Sequence, residues 1–177
     1  MKIGEGTVEI FALPFYRDLV LRAAGPDDII SPTDRLEFKY WAGDGALRRI
    51  VRVAVPPRLF TEAERATELD RRLAEASEED RPRIRSTFGE LPIQDTLPAF
   101  SDLVVDGGNN VWVRPFRLPA EEGPAHWLVL DPAGQALGHV TLPEGLTVYE
   151  IGADYVLGAT TDDMGIERVQ LWPLMRG

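Results

Sequence analysis

The 177-residue sequence contains no cysteine. Disulfides, thiolate zinc sites, iron–sulfur clusters and cysteine nucleophiles are excluded together. Histidine is nearly absent too: with only His126 and His139, a histidine-rich metal site within one chain is ruled out. Basic residues are outnumbered 19 to 29, giving a formal net charge of −10. That balance argues against nucleic acid or an anionic membrane surface as the main partner. No apolar run approaches the roughly 18 residues of a membrane span. Residues 1–6 have no apolar core of a secretion signal, so the sequence as given reads as cytoplasmic, and as periplasmic or secreted if a longer parent is exported. What is present is a 44% hydrophobic content, enough for a real core and too much for wholesale disorder.

Short β-rich runs separated by turn residues fill both ends of the chain. Segment 7–15 reads as one strand, closed by Pro14, and runs at 19–24, 28–31, 36–41 and 47–55 follow. The second half repeats this texture at 103–105, 111–116, 126–130, 137–142, 148–153, 155–159 and 167–174. Strands of four to eight residues at about ten-residue spacing predict an all-β sandwich, barrel or propeller. Segment 61–88 breaks the pattern, being rich in Glu, Arg, Ala and Leu with one proline. Thr61-Glu62-Ala63-Glu64 fits a capping box, and Ala66, Leu69, Leu73 and Ala76 share one helical stripe. Ser77 is placed to cap a second helix, with Pro82 in its first turn and Ile84 and Phe88 inward. This helical insert is read as packing on the rim of a single domain, 1–177, with a lid or docking arm as the other reading.

An internal repeat narrows the fold. Tyr16-Arg17-Asp18-Leu19-Val20-Leu21 lines up with Phe100-Ser101-Asp102-Leu103-Val104-Val105, and Val148-Tyr149-Glu150-Ile151-Gly152-Ala153 is a looser third copy. Asp18 and Asp102 are 84 residues apart, Asp102 and Glu150 are 48 apart. Taking about 33 residues of helical insert out of the first interval leaves a period near 50, the length of a four-stranded propeller blade.

At these residues the chain resembles the C-terminal half of bacterial six-bladed β-propeller proteins of the NHL and lactonase-like kind. The carriers are Leu97-Pro98-Ala99-Phe100-Ser101-Asp102-Leu103-Val104-Val105-Asp106, Asn109-Asn110-Val111-Trp112-Val113, Asp131-Pro132-Ala133-Gly134 and Glu150-Ile151-Gly152-Ala153-Asp154-Tyr155-Val156-Leu157-Gly158. The sequence departs from such proteins in lacking three further blades and an export signal. The strands supply three blades, a half-ring, and each blade of a closed ring must pack on two neighbours. The expectation is therefore a homodimer closing as one six-bladed propeller. In it, strand 7–15 of each chain completes the last blade of its partner as a domain swap.

On that fold an acid recurs at the start of each inner strand, as Asp18, Asp102 and Glu150. If Asp18 faces a central channel, so do Val20 and Arg22, with Asp102, Val104 and Asp106, and Glu150, Gly152 and Asp154, as the equivalent sets. Crowded carboxylates repel unless a cation or donors neutralise them, so Asp18, Asp102 and Glu150 form a candidate site for Ca²⁺ or another hard divalent cation. The alternative is that each acid accepts backbone amides within the fold. The resemblance implies a metal-assisted lactone, ester or phosphotriester hydrolase acting on a small molecule in the channel, with Asp102 and Asp18 at the metal. His126, near the start of a third strand, is a candidate base, or plain surface; His139 is weaker. Tyr16, Arg17, Phe100 and Tyr149 are candidate substrate contacts at the entrance, with Phe100 equally suited to the core between blades. The four tryptophans read as blade packing, Gly107-Gly108-Asn109-Asn110 as a turn, and Asp162-Asp163 as solvated charge or a small cation loop. The other function class is a non-enzymatic ligand-binding or protein-interaction propeller in which the acids are structural.

Overall fold

The computed structural model describes residues 22–23, 28–32, 35–90, 95–121 and 123–175. The expected strand 7–15 and the candidates Tyr16, Arg17 and Asp18 lie outside these. Two compact units emerge, one of residues 17–59 with 96–177 and one containing residues 60–95.

Among the described residues, the strand unit is built from three antiparallel sheets. The first runs β1 (Arg22–Ala23), β2 (Asp28–Pro32), β3 (Glu37–Ala42) and β4 (Leu47–Arg52) in sequence order. The second runs β5 (Phe100–Val105), β6 (Val111–Pro115), β7 (Ala125–Leu130) and β8 (Ala136–Leu142). The third holds β9 (Thr147–Ile151), β10 (Tyr155–Thr161) and β11 (Glu167–Pro173). Each sheet is a simple meander, and β5, which opens the second sheet, lies beside both β1 and β9. The strands expected between 28 and 174 are all present, with no end moved by more than three residues.

Alternation along the strands shows how the sheets stack. Leu103, Val111, Val113 and Leu130 of the second sheet join Ile30, Phe38, Tyr40 and Val51 of the first in one buried cluster. Val104, Trp112, Trp127 and Val129, on the opposite face, join Val148, Ile151 and Val156 of the third sheet in another. Because successive side chains leave a strand on opposite faces, the second sheet is apolar on both and is covered on both. The first and third sheets are each covered on one face only by these clusters.

Four hairpins share one five-residue turn. In each, the first residue's N–H donates to the carbonyl four residues on, and the fourth residue's N–H donates back to the first carbonyl: 42–46, 106–110, 131–135 and 162–166. The fourth residue has positive φ in every case: Gly45 (84°), Asn109 (61°), Gly134 (88°) and Gly165 (78°). This is the three-residue hairpin loop that needs a left-handed residue, supplied by glycine or asparagine. Gly134 meets a second demand, since a Cβ there falls 2.2 Å from Cγ1 of Val51.

The helical unit carries α1 (Glu62–Glu75) and α2 (Arg81–Glu90). The expected capping box is complete, with Thr61 Oγ1 accepting from Glu64 N–H at 3.3 Å and Glu64 Oε2 accepting from Thr61 N–H at 2.9 Å. Ser77 Oγ accepts from Asp80 N–H in the turn that leads into α2. The apolar stripe is a different matter. Ala66 is exposed and Leu69 and Leu73 only half-buried, while the buried position of α1 is Glu68. Its carboxylate is held by Arg71 at 2.8 Å and Arg72 at 2.6 Å, so the charge is neutralised where it is desolvated.

Candidate functional site

Asp102 and Glu150, the described acids of the repeat, have protein partners. Asp102, in β5, meets Arg22 of β1: Arg22 Nη2 lies 3.4 Å from Oδ1, and Arg22 Nε donates to the Leu103 carbonyl at 2.9 Å. Leu103 N–H donates to the same Asp102 oxygen at 2.7 Å. The two side chains remain 42% and 31% exposed, so this ion pair is a wet one and contributes little to stability. Glu150, the corresponding residue of β9, accepts the phenol proton of Tyr155. That bond, with the carboxylate charge beside it, holds the Tyr155 hydroxyl above the ordinary tyrosine value. Gly152 lies flat against the Tyr155 ring, where a Cβ would sit 2.2 Å from Cε1. Among the described residues no group of three His, Asp or Glu is arranged to hold a metal ion.

The set Asp102, Val104 and Asp106 does not line a common open wall. Val104 is buried between the second and third sheets, and Asp106 is buried at 3% exposure. Strand side chains stand perpendicular to their sheet, so in stacked sheets they point at the neighbouring sheet. Asp106 instead ties its turn together. One oxygen accepts the N–H groups of Gly108 (2.8 Å) and Asn110 (2.9 Å), the other Asn110 Nδ2 (3.0 Å) and the buried indole of Trp112 (3.1 Å).

The same device recurs where a cation loop was weighed. Asp131 Oδ1 accepts from the N–H groups of Ala133 and Gln135, and Asp162 Oδ1 from those of Met164 and Ile166. Arg168 adds a bond to Asp162 at 3.2 Å. The aspartates of these turns are structural acceptors. A signal for them stands in the sequence: Asp followed three residues later by Gly or Asn, at 106/109, 131/134 and 162/165.

The remaining candidates are dispersed. Phe100 is fully buried in the cluster between the first and second sheets, tilted at 52° to Phe38 with ring centroids 6.4 Å apart. The core role weighed for it is the one observed, because its side chain faces the first sheet and no solvent reaches it. Tyr149 is half-exposed at a register shift, where Val148 and Glu150 pair with consecutive residues of β10 and Tyr149 has no residue opposite. His126 is exposed, its Nδ1 3.0 Å from Thr141 Oγ1 across the β7–β8 ladder. His139 is exposed on β8. Sequence reasoning missed the bidentate pair of Arg58 and Glu121, at 2.6 and 3.1 Å. That guanidinium, with the Leu118 N–H, holds the Glu121 carboxyl below the usual carboxylate range. Of Trp41, Trp112, Trp127 and Trp172, the middle two are buried and Trp172 packs on the cluster between the second and third sheets, the packing role expected for them. Comparison of the chain with protein-family models, characterised proteins and solved structures found no match.

Proposed function

We propose that the strand unit is three blades of a β-propeller and that it works as a binding module, with its inner acids serving the fold. The observation that carries this reading is the engagement of those acids. Asp102 is held by Arg22 and a backbone amide, Glu150 by Tyr155, and Asp106 by four donors. A carboxylate that accepts several hydrogen bonds has fewer lone pairs to offer a hard cation, which needs about six to eight oxygens. The blade reading is supported by three meander sheets stacked face to face with their first strands adjacent.

The test measures turnover, metal response and stability together. On this reading a panel of activated lactones, esters and phosphotriesters shows no turnover above buffer, EDTA leaves the melting temperature unchanged, and Asp102→Asn alters stability slightly and nothing else.

A second reading keeps the metal-assisted hydrolase, with Ca²⁺ as the cation, because Asp102 retains 31% of its side-chain surface in solvent. Turnover that is lost with chelator and with Asp102→Asn, at an unchanged melting temperature, would establish it in place of the first.

A further inference from the structure

The two end sheets each present a face that the buried clusters leave open, and the two faces differ in charge. On the first sheet the register pairs Glu37 with Arg52, Lys39 with Ile50 and Trp41 with Leu47, all on the side opposite Phe38, Tyr40 and Val51. Leu47 and Ile50 are 47% and 37% exposed, and the charged residues around them are Lys39 and the Arg52–Glu37 pair. On the third sheet the register pairs Leu157 with Leu171, Ala159 with Val169 and Thr161 with Glu167, opposite the side that holds Val156 and Trp172. Val169 and Leu171 are 68% and 63% exposed, and Glu150, opposite Leu157, joins Glu167 as the charge on this face.

We infer that these two faces bind each other between two copies of the chain. The first sheet of one copy covers the third sheet of its partner, and the reverse contact follows by a two-fold axis. The inference rests on reading the sheets as blades of an unclosed ring, and it names the occupant of the gap. Each face carries exposed apolar side chains, Leu47 and Ile50 on one and Val169 and Leu171 on the other. One is bordered by a net positive set and the other by two glutamates, so unlike faces attract and like faces repel. A face-one-to-face-three contact is heterologous by itself. Made twice about a two-fold axis it closes and stops at two chains.

The experiment is absolute mass in solution by light scattering on a sizing column, at micromolar concentration. The expected result is one species of two 19.7 kDa chains, about 39 kDa. Leu47→Glu and Leu171→Lys alter exposed positions on the two faces, and each is expected to halve that mass while the circular dichroism spectrum stays that of the parent. Mixing the two variants is expected to restore the dimer, since one intact contact and one Glu–Lys contact then form. Should either variant fail to fold, Lys39→Glu and Val169→Lys replace them.

A monomeric parent overturns the inference. So does mass that climbs past two chains with concentration, the mark of an open head-to-tail array. A dimer broken by Leu171→Lys but not by Leu47→Glu means third sheet on third sheet, and overturns it as well. A monomer with no turnover and no chelator response ends this inference and leaves the binding-module reading intact. Metal-dependent hydrolysis by a species of about 39 kDa does the opposite.

Discussion

Replacing Asp106 by alanine removes the acceptor of four hydrogen bonds from a carboxylate that is 3% exposed. The donors fare differently. The Gly108 N–H sits in an exposed loop and the Asn110 groups in a half-buried one, so water replaces most of what they lose. The indole N–H of Trp112 is buried at 2% exposure and water reaches it poorly. Stranding a buried donor costs about 1–3 kcal/mol, and the loop bonds and small void add about 1 kcal/mol. We therefore expect Asp106→Ala to cost about 3 kcal/mol, which lowers the melting temperature of a chain this size by about 6–12 °C. Tryptophan fluorescence is a suitable probe because all four tryptophans lie in the strand unit. A double-mutant cycle with Trp112→Phe isolates the carboxylate–indole bond, with an expected coupling of about 1–2 kcal/mol. A coupling below about 0.5 kcal/mol would refute the assignment of that bond. Asp106→Ala that stabilised the protein would mean that this carboxylate repels neighbouring acids, as in an empty cation site.

Gly134→Ala introduces a Cβ both at positive φ and 2.2 Å from Val51 Cγ1, and is expected to cost about 2–3 kcal/mol by urea denaturation. Gly165→Ala, in the same turn with open space around it, should cost only about 1 kcal/mol. For Glu68, burial raises the carboxyl pKa but the hydrogen bonds from Arg71 and Arg72 outweigh it and leave the value lowered. A group with a depressed folded pKa stabilises above its unfolded value and loses that contribution as pH falls through the folded one. Helical circular dichroism should therefore soften in acid, below about pH 4, and Glu68→Gln should weaken the helices at neutral pH while flattening that acid slope. The Tyr155 phenol should titrate above the ordinary tyrosine value by ultraviolet absorbance, and Glu150→Gln should bring it back down. An unchanged titration in Glu150→Gln would remove the Tyr155–Glu150 bond from the account.

The strands were legible because their signals are local. Period-two alternation and turn residues place β3 or β10 without knowledge of anything distant, and the Thr61–Glu64 capping box is complete within four residues. The roles of the acids were not legible from the repeat alone. Asp102 and Asp106 stand four residues apart with the same side-chain chemistry, yet one is half-open beside Arg22 and the other buried on Trp112. The donors to Asp106 all lie within six residues of it, in a turn its Asp–Asn spacing marks, whereas the Arg22 partner of Asp102 comes from the neighbouring sheet, which the local sequence does not specify. Glu68 was hidden for a related reason. A helical stripe is read from apolar residues, and a buried glutamate enters it only because Arg71 and Arg72, three and four residues on, accompany it.

The place where the chain leaves the strand unit after β4 and returns before β5 is closed by its own backbone. Leu97 N–H donates to the Arg58 carbonyl at 2.9 Å, and Leu59 bridges Thr96. To the sheets, residues 60–95 are a loop whose ends are already one strand spacing apart. Loop-closure entropy grows only as the logarithm of length, so a loop of 36 residues in place of a four-residue turn costs about 2 kcal/mol. The stem makes that segment exchangeable. Excising it to a tight turn, lengthening it, or opening it as new termini by circular permutation is expected to leave the pairing within the described sheets unchanged, which circular dichroism of such variants checks.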